Sequence, residues 1–325
     1  MSEQVTATST DYIDFEDNRL AAELSGEHDS HLSILEDALD VRIDARGNRF
    51  AVSGPDGARA HTLRALQSLY ARLSRGEPVG VAEVRAAIKL SHGTDSKPEH
   101  TKAPSIKTPR RLISARSPNQ AAYLTKLASH DLTFGVGPAG TGKTYLAVAH
   151  AVGLLLSNKV ERIILSRPAL EAGERIGFLP GDMKEKVDPF LRPLYDALHD
   201  MMHTDYVERR IAAGDIEIAP IAFMRGRTLA RSAIILDEAQ NATPAQMKMF
   251  LTRLGEGGHM AVTGDPQQTD LPAGQTSGLT EALNILDGVD GVAITQFKAV
   301  DVVRHQLVSR IIMAYDAHGT HQPRS

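Results

Sequence analysis

The segment Gly137-Pro138-Ala139-Gly140-Thr141-Gly142-Lys143-Thr144 constrains this chain more than any other. It reads G-x-x-x-x-G-K-[ST], the phosphate-binding P-loop pattern. An apolar run over 133–136 precedes it, and a helix-like stretch over 145–156 follows. Strand, loop, then helix is the setting the pattern requires. Its glycines let the backbone curl until successive N–H groups point at one anion. The following helix adds its positive end at the same place. Lys143 then reaches the outer phosphates and Thr144 holds Mg²⁺, with the whole of 137–144 wrapped around the ligand.

A second segment, Ala233-Ile234-Ile235-Leu236-Asp237-Glu238, places two carboxylates after four apolar residues. A buried parallel strand would deliver both to its carboxyl end, beside the loop. Asp237 is then expected to hold Mg²⁺ through water, and Glu238 to polarise an attacking water. Phosphoryl transfer is catalysed mostly by positioning and charge neutralisation, so little else is needed. A third segment, Met260-Ala261-Val262-Thr263, runs into Gly264-Asp265-Pro266-Gln267-Gln268. A glutamine at that edge can sense the terminal phosphate or orient the water.

These segments belong to a longer alternation. Apolar strand candidates at 133–136, 162–166, 216–219, 233–236, 260–263 and 292–297 are separated by helical stretches. Residues 117–325 are therefore predicted to form an α/β domain, with a mostly parallel sheet and helices on both faces. Residues 11–90 read differently, as strand, broken helix, hairpin and helix. Tyr12, Ile13 and Phe15 suggest the first strand, and 20–39 a helix interrupted at 25–29. Strands at 41–45 and 49–53 flank a turn at Gly47, and 58–73 is amphipathic, with Leu63, Leu66, Tyr70 and Leu73 on one face. Residues 1–10 read as a disordered Ser/Thr-rich tail. Residues 91–116 lose hydrophobic periodicity and read as a flexible linker.

Composition narrows the function classes. The chain has 325 residues, room for about two domains. With no cysteine it has no disulfide, Cys-ligated zinc, iron–sulfur cluster or thiol catalysis, which fits a reducing cytoplasm. No run approaches the roughly 18–20 apolar residues of a membrane helix. The N-terminal 17 residues lack the apolar core of a signal peptide. A cytoplasmic protein away from membranes is expected. The net charge of −4 argues against a dedicated duplex-DNA binder. The linker is nevertheless basic through Lys97, Lys102, Lys107, Arg110 and Arg111. It is either a solvated tether or a tract that touches RNA phosphates. His199 and His203 have metal-compatible i, i+4 spacing on a predicted helix, but no third ligand is evident, and helix-surface histidines are the simpler reading.

The order Gln120, P-loop, Asp237-Glu238-Ala239-Gln240, then Gly264-Asp265-Pro266-x-Gln268 resembles the first motor domain of superfamily 1 helicases. Further stretches resemble the PhoH family of P-loop ATPases. These are Leu165-Ser166-Arg167-Pro168, Gly177-Phe178-Leu179-Pro180-Gly181-Asp182, Val187-Asp188-Pro189-Phe190-Leu191-Arg192-Pro193, Arg225-Gly226-Arg227-Thr228 and Asp301-Val302-Val303-Arg304-His305. The resemblance implies a RecA-like ATPase using ATP and Mg²⁺ and acting on RNA, with helicase activity or an ATP-gated adaptor role as alternatives. It implies that Gln120 contacts adenine, Gln268 senses the γ-phosphate, and Arg304 is the arginine finger. Arg167, Arg225 and Arg227 are left open: they line an RNA path, read the nucleotide, pair with a neighbouring subunit's carboxylates, or serve the fold alone. Only one motor core is legible, so the family's association with hexameric rings implies a homo-oligomer with shared sites. It also suggests an endoribonuclease partner. The acidic, Pro/Gly-rich stretch around Asp182, Glu185 and Asp188 reads as an insertion loop. The N-terminal β-α-α-β-β-α order resembles a KH-like RNA-binding domain. Its gripping loop reads Gly26-Glu27-His28-Asp29, with Asp29 where the second glycine of G-x-x-G stands. Two carboxylates there oppose a phosphate backbone, which leaves an oligomerisation or partner-docking domain as the alternative to RNA binding.

Overall fold

A computed structural model describes residues 9–92, 104–168, 183–272 and 274–302, the side chains of 183–190 excepted. They fall into two compact units, one within Met1–Ser105 and Ser114–Ala121, the other within Ile106–Ile113 and Ala122–Ser325.

In the first unit, alternation of apolar and polar residues makes a half-buried antiparallel sheet of β1 (Ser9–Asp14), β2 (Arg42–Arg46) and β3 (Arg49–Gly54). The strand order is β1-β3-β2. Helices α1 (Asn18–Ser25), α2 (Ser30–Leu39), α3 (Asp56–Ser74) and α4 (Val81–Ser91) supply the rest of the core. Leu24, Leu35, Phe50, Val52, Leu66 and Leu69 are fully enclosed. The expected order of elements is present, and α4 is added to it. The break between α1 and α2 is a single 3₁₀ turn over Glu27–Asp29. Gly26 has φ +77°, and a Cβ there would lie 2.7 Å from the His31 ring. Asp29 adopts φ +58°, a left-handed conformation that Asp tolerates better than most residues.

The second unit holds a six-stranded parallel sheet of β6 (Leu132–Val136), β7 (Arg162–Arg167), β8 (Ile216–Pro220), β9 (Ser232–Leu236), β10 (His259–Gly264) and β11 (Val292–Gln296), in the order β11-β6-β10-β9-β7-β8. β6 and β9 are buried along their whole length, as a central strand covered on both faces must be. One face packs α6 (Lys143–Leu156) against β6, β7, β9 and β10. The other packs α9 (Pro244–Leu251) and α10 (Gly278–Leu286), where Met247, Phe250 and Leu279 meet Phe134, Ile234 and Val262. The fold is the α/β arrangement the sequence predicts.

Other elements differ from expectation. β4 (Ser105–Lys107) and β5 (Leu112–Ser114) pair inside the stretch read as a linker. Between them Arg111 bridges Asp200 at 2.7 Å, and Arg110 donates to the carbonyls of His199 and Met201. Two of the basic side chains read as tether or RNA contact are thus engaged within the fold. The stretch read as an insertion loop becomes helical from α7 (Met183–Met201) onward. Leu191, Leu194, Leu198 and Met201 are buried at helical spacing along it, and this apolar face outweighs the prolines. His199 and His203 do not share a helix. His203 has the extended φ/ψ of an N-cap to α8 (Thr204–Ala213). No cluster of His, Cys, Asp and Glu able to hold a metal occurs among the described residues. Nor is any helix among them long and apolar enough to cross a membrane.

α6 carries a titratable group into the core. His150 faces His259 with ring centroids 6.5 Å apart, and the two rings have buried nitrogens without partners. Burial, then His259 and Lys159, push the His150 pKa down to about 4. Between pH 6.5 and 4 the unfolded chain binds a proton that the folded chain refuses. Stability is therefore lost as pH falls through that window, by up to about 3 kcal/mol. Urea unfolding at pH 7 and 4.5 should show a smaller acid loss for His150→Asn than for wild type. Equal losses would remove His150 as the cause.

Candidate functional site

All six strands run the same way, so their carboxyl ends form one edge, where an α/β sheet places its ligands. β6 ends there at Val136 and the chain turns through 137–142 into α6. Gly137 has φ +134°, and a Cβ on it would lie 2.3 Å from the Phe297 carbonyl oxygen. Gly140 and Gly142 have φ +80° and +84°. These positions are closed to other residues by backbone conformation, and at Gly137 also by space. Gly142 is the N-cap of α6, so the open N–H groups of the first turn face the loop.

Lys143 folds back over the loop. Its Nζ donates to the carbonyls of Gly137 at 2.6 Å and Pro138 at 2.8 Å. Burial pushes its pKa down, opposed by Asp265, Asp237 and Glu238. Beside it Thr144 Oγ1 donates to Asp237 Oδ1 at 2.6 Å. Strand order explains a third partner. β10 stands between β6 and β9, and its Thr263 also donates to Asp237 Oδ1, at 2.8 Å. β9 pairs with β7 on its other side, which brings Arg167 to Asp237 Oδ2 through Nε at 2.8 Å and through a terminal nitrogen. Asp237 is 3% exposed. A buried carboxylate beside a threonine hydroxyl is a hard-oxygen set suited to Mg²⁺.

Glu238 is half-exposed, with φ +52°. Such backbone strain in a non-glycine residue gathers at functional sites. Its Oε2 accepts from Gln240 Nε2 at 2.6 Å, and Gln240 Oε1 accepts the Asp265 N–H at 3.1 Å. Gln268 Nε2 donates to Asp265 Oδ2 at 2.8 Å. The buried Gln240 thus ties Glu238 to the turn that carries Gln268. A Cβ on Gly264 would come within 2.6 Å of Gln240 Oε1, so the glycine makes room for that amide.

The family model described as PhoH, PhoH-like protein, matches residues 112–316. The chain belongs to the PhoH family. A PhoH-like protein of Bacillus subtilis (strain 168) is 49% identical over 91% of this chain and 94% of that protein. One from Mycobacterium leprae is 46% identical over 93% and 87%. Protein PhoH of Escherichia coli (strain K12) is 47% identical over 62% of this chain and 58% of its own length. Among solved structures, the crystal structure of Pif1 helicase from Candida albicans aligns over 62% of this chain and 43% of that chain, at 14% identity and TM-score 0.33, too slight a likeness to argue from.

In this PhoH-family chain the structure brings Lys143, Thr144, Asp237 and Glu238 to one place, with Gln268 held to Asp265. Gln120 is buried in the first turn of α5 (Pro118–Ser129), its Oε1 accepting the Arg116 N–H at 2.7 Å. Arg304 lies outside the described residues, as does the Gly177-to-Asp182 stretch. Arg227 makes a two-pronged pair with Glu217 at 2.6 and 2.7 Å, which holds the Glu217 carboxyl below its usual range. That pairing favours a structural role for Arg227. The sequence left Arg167 among four readings and gave Thr263 and Gln240 no role of their own. The signal for all three is the strand order, which local patterns do not contain.

Proposed function

We propose that this chain is an Mg²⁺-dependent ATPase that acts on RNA. The observation that supports it most is the meeting of Thr144 and Asp237 beside the P-loop, with Lys143 over the loop and Glu238 next in sequence. In this reading Lys143 exchanges the Gly137 and Pro138 carbonyls for phosphate oxygens. Thr144 and Asp237 would hold Mg²⁺, which when bound neutralises charge on the phosphates. Glu238 accepts the proton of the attacking water, and Gln268 senses the terminal phosphate from its place on Asp265. Gln120 is the proposed adenine contact and Arg304 the finger, acting within its own subunit or across a homo-oligomeric, hexameric ring. RNA as partner and a separate endoribonuclease rest on the family resemblance.

The test is ATP hydrolysis with Mg²⁺, with and without single-stranded RNA, on a sample of known oligomeric state. RNA should raise the rate, and Lys143→Ala should lower it at least about 100-fold, the scale of losing one preorganised charge. No hydrolysis in the wild type under either condition would overturn the ATPase reading. A second reading is an ATP-gated adaptor with slow turnover and no unwinding, which would use the same Lys143, Thr144 and Asp237 to hold the nucleotide. RNA processing that survives Glu238→Gln supports the adaptor, and strand separation lost in that variant supports the motor.

A further inference from the structure

Arg167 closes β7 and holds both carboxylates of the acidic pair. It donates twice to Asp237 Oδ2, and a terminal nitrogen lies 3.8 Å from Glu238 Oε1. The other Asp237 oxygen is taken by the hydroxyls of Thr144 and Thr263. The two sets of partners treat a cation differently. A hydroxyl that donates its proton to Asp237 keeps lone pairs for a metal, so neither threonine competes with Mg²⁺. The guanidinium neutralises the same carboxylate that a divalent cation needs. It is permanently charged, and two cations a few ångströms apart repel strongly where water is scarce.

We propose that Arg167 is a built-in counter-ion of Asp237 and Glu238 that a divalent cation must displace, so that Arg167 sets the cation affinity of this site. The inference rests on the nucleotide-site reading given above. Asp237 is 3% exposed, and a carboxylate so enclosed is costly when left without a compensating partner. Arg167 fills that need in the metal-free protein. Once the cation takes over the carboxylate, the guanidinium is released from it. Arg167 is thus a positioning residue, acting on the cation through Asp237 and Glu238.

Mn²⁺ serves as the probe, its binding followed by loss of the free-ion electron paramagnetic resonance signal in the presence of ADP. Arg167→Gln keeps N–H donors but removes the charge. It should lower the Mn²⁺ half-saturation concentration about tenfold, within the usual span of coupling between two ligands of one site. Its metal-free form should melt lower than wild type, and Mn²⁺ with ADP should recover the difference. Arg167→Lys keeps a charge without the fork and should fall between the two. It also serves as the test if the Gln variant does not fold. Variants that bind Mn²⁺ no more tightly than a wild type that takes up both ADP and Mn²⁺ overturn this inference alone. A wild type that takes up neither ADP nor Mn²⁺ overturns the nucleotide-site reading as well.

Discussion

On the ATPase function proposed above, a Glu238→Gln protein should bind ATP and Mg²⁺ like wild type and hydrolyse the nucleotide about 10²- to 10⁴-fold more slowly, the usual worth of a positioned general base. The substitution is nearly isosteric. The side-chain oxygen of the new amide can still accept from Gln240 Nε2, so the link to Asp265 and the Gln268 turn is kept. The backbone at φ +52° is no worse for glutamine than for glutamate. What is lost is the negative charge and the capacity to accept a proton. Because half of the Glu238 side chain is exposed, exchanging it leaves no buried charge behind, and stability should change little. Single-turnover hydrolysis and equilibrium binding of a fluorescent ATP analogue separate the two effects. A variant that loses binding in proportion to rate would assign Glu238 to holding the ligand rather than to the chemistry.

The parallel sheet was legible because its strands are short apolar runs bounded by polar turns, such as Ile234-Ile235-Leu236 before Asp237. The loop glycines were legible because their backbone angles admit little else. α4 was missed because alanines fill much of its buried face, leaving Val84 and Ile88 as its large apolar anchors. The β4–β5 pair was missed because three-residue strands in a Pro/Ser/Lys-rich tract carry almost no local signal. Arg110 and Arg111 there find partners at residues 199–201, some 90 positions away. The site divides in the same way. Lys143, Thr144 and Asp237 follow from two local patterns. Thr263 and Arg167 reach Asp237 only because β10 and β7 are the strands on either side of β9. Periodicity says that a strand is buried but not which strands flank it.

That dependence on neighbouring strands underlies the largest expected effect on stability. Asp237→Ala should destabilise the ligand-free protein by about 3 kcal/mol, the low end for breaking a buried ion pair by removing one partner. The loss comes from what stays behind. Arg167, its side chain only 17% exposed, keeps its charge, and the Thr144 and Thr263 hydroxyls lose their acceptor. Glu238 Oε1, 3.8 Å from Arg167, offers a partial replacement, which places the figure at the low end. Thr144→Ala removes a single hydroxyl donor and should cost only about 1 kcal/mol. The decisive comparison adds Arg167→Ala to Asp237→Ala. With the stranded charge gone, the double variant should be more stable than the sum of the single losses by about 1–3 kcal/mol. Urea unfolding of the four proteins at pH 7 without nucleotide measures this directly. Losses that add to within about 0.5 kcal/mol would mean that the two residues are energetically independent. In that case Arg167 would contribute nothing to Asp237 before metal arrives, and the carboxylate would have to be held by its two threonines alone.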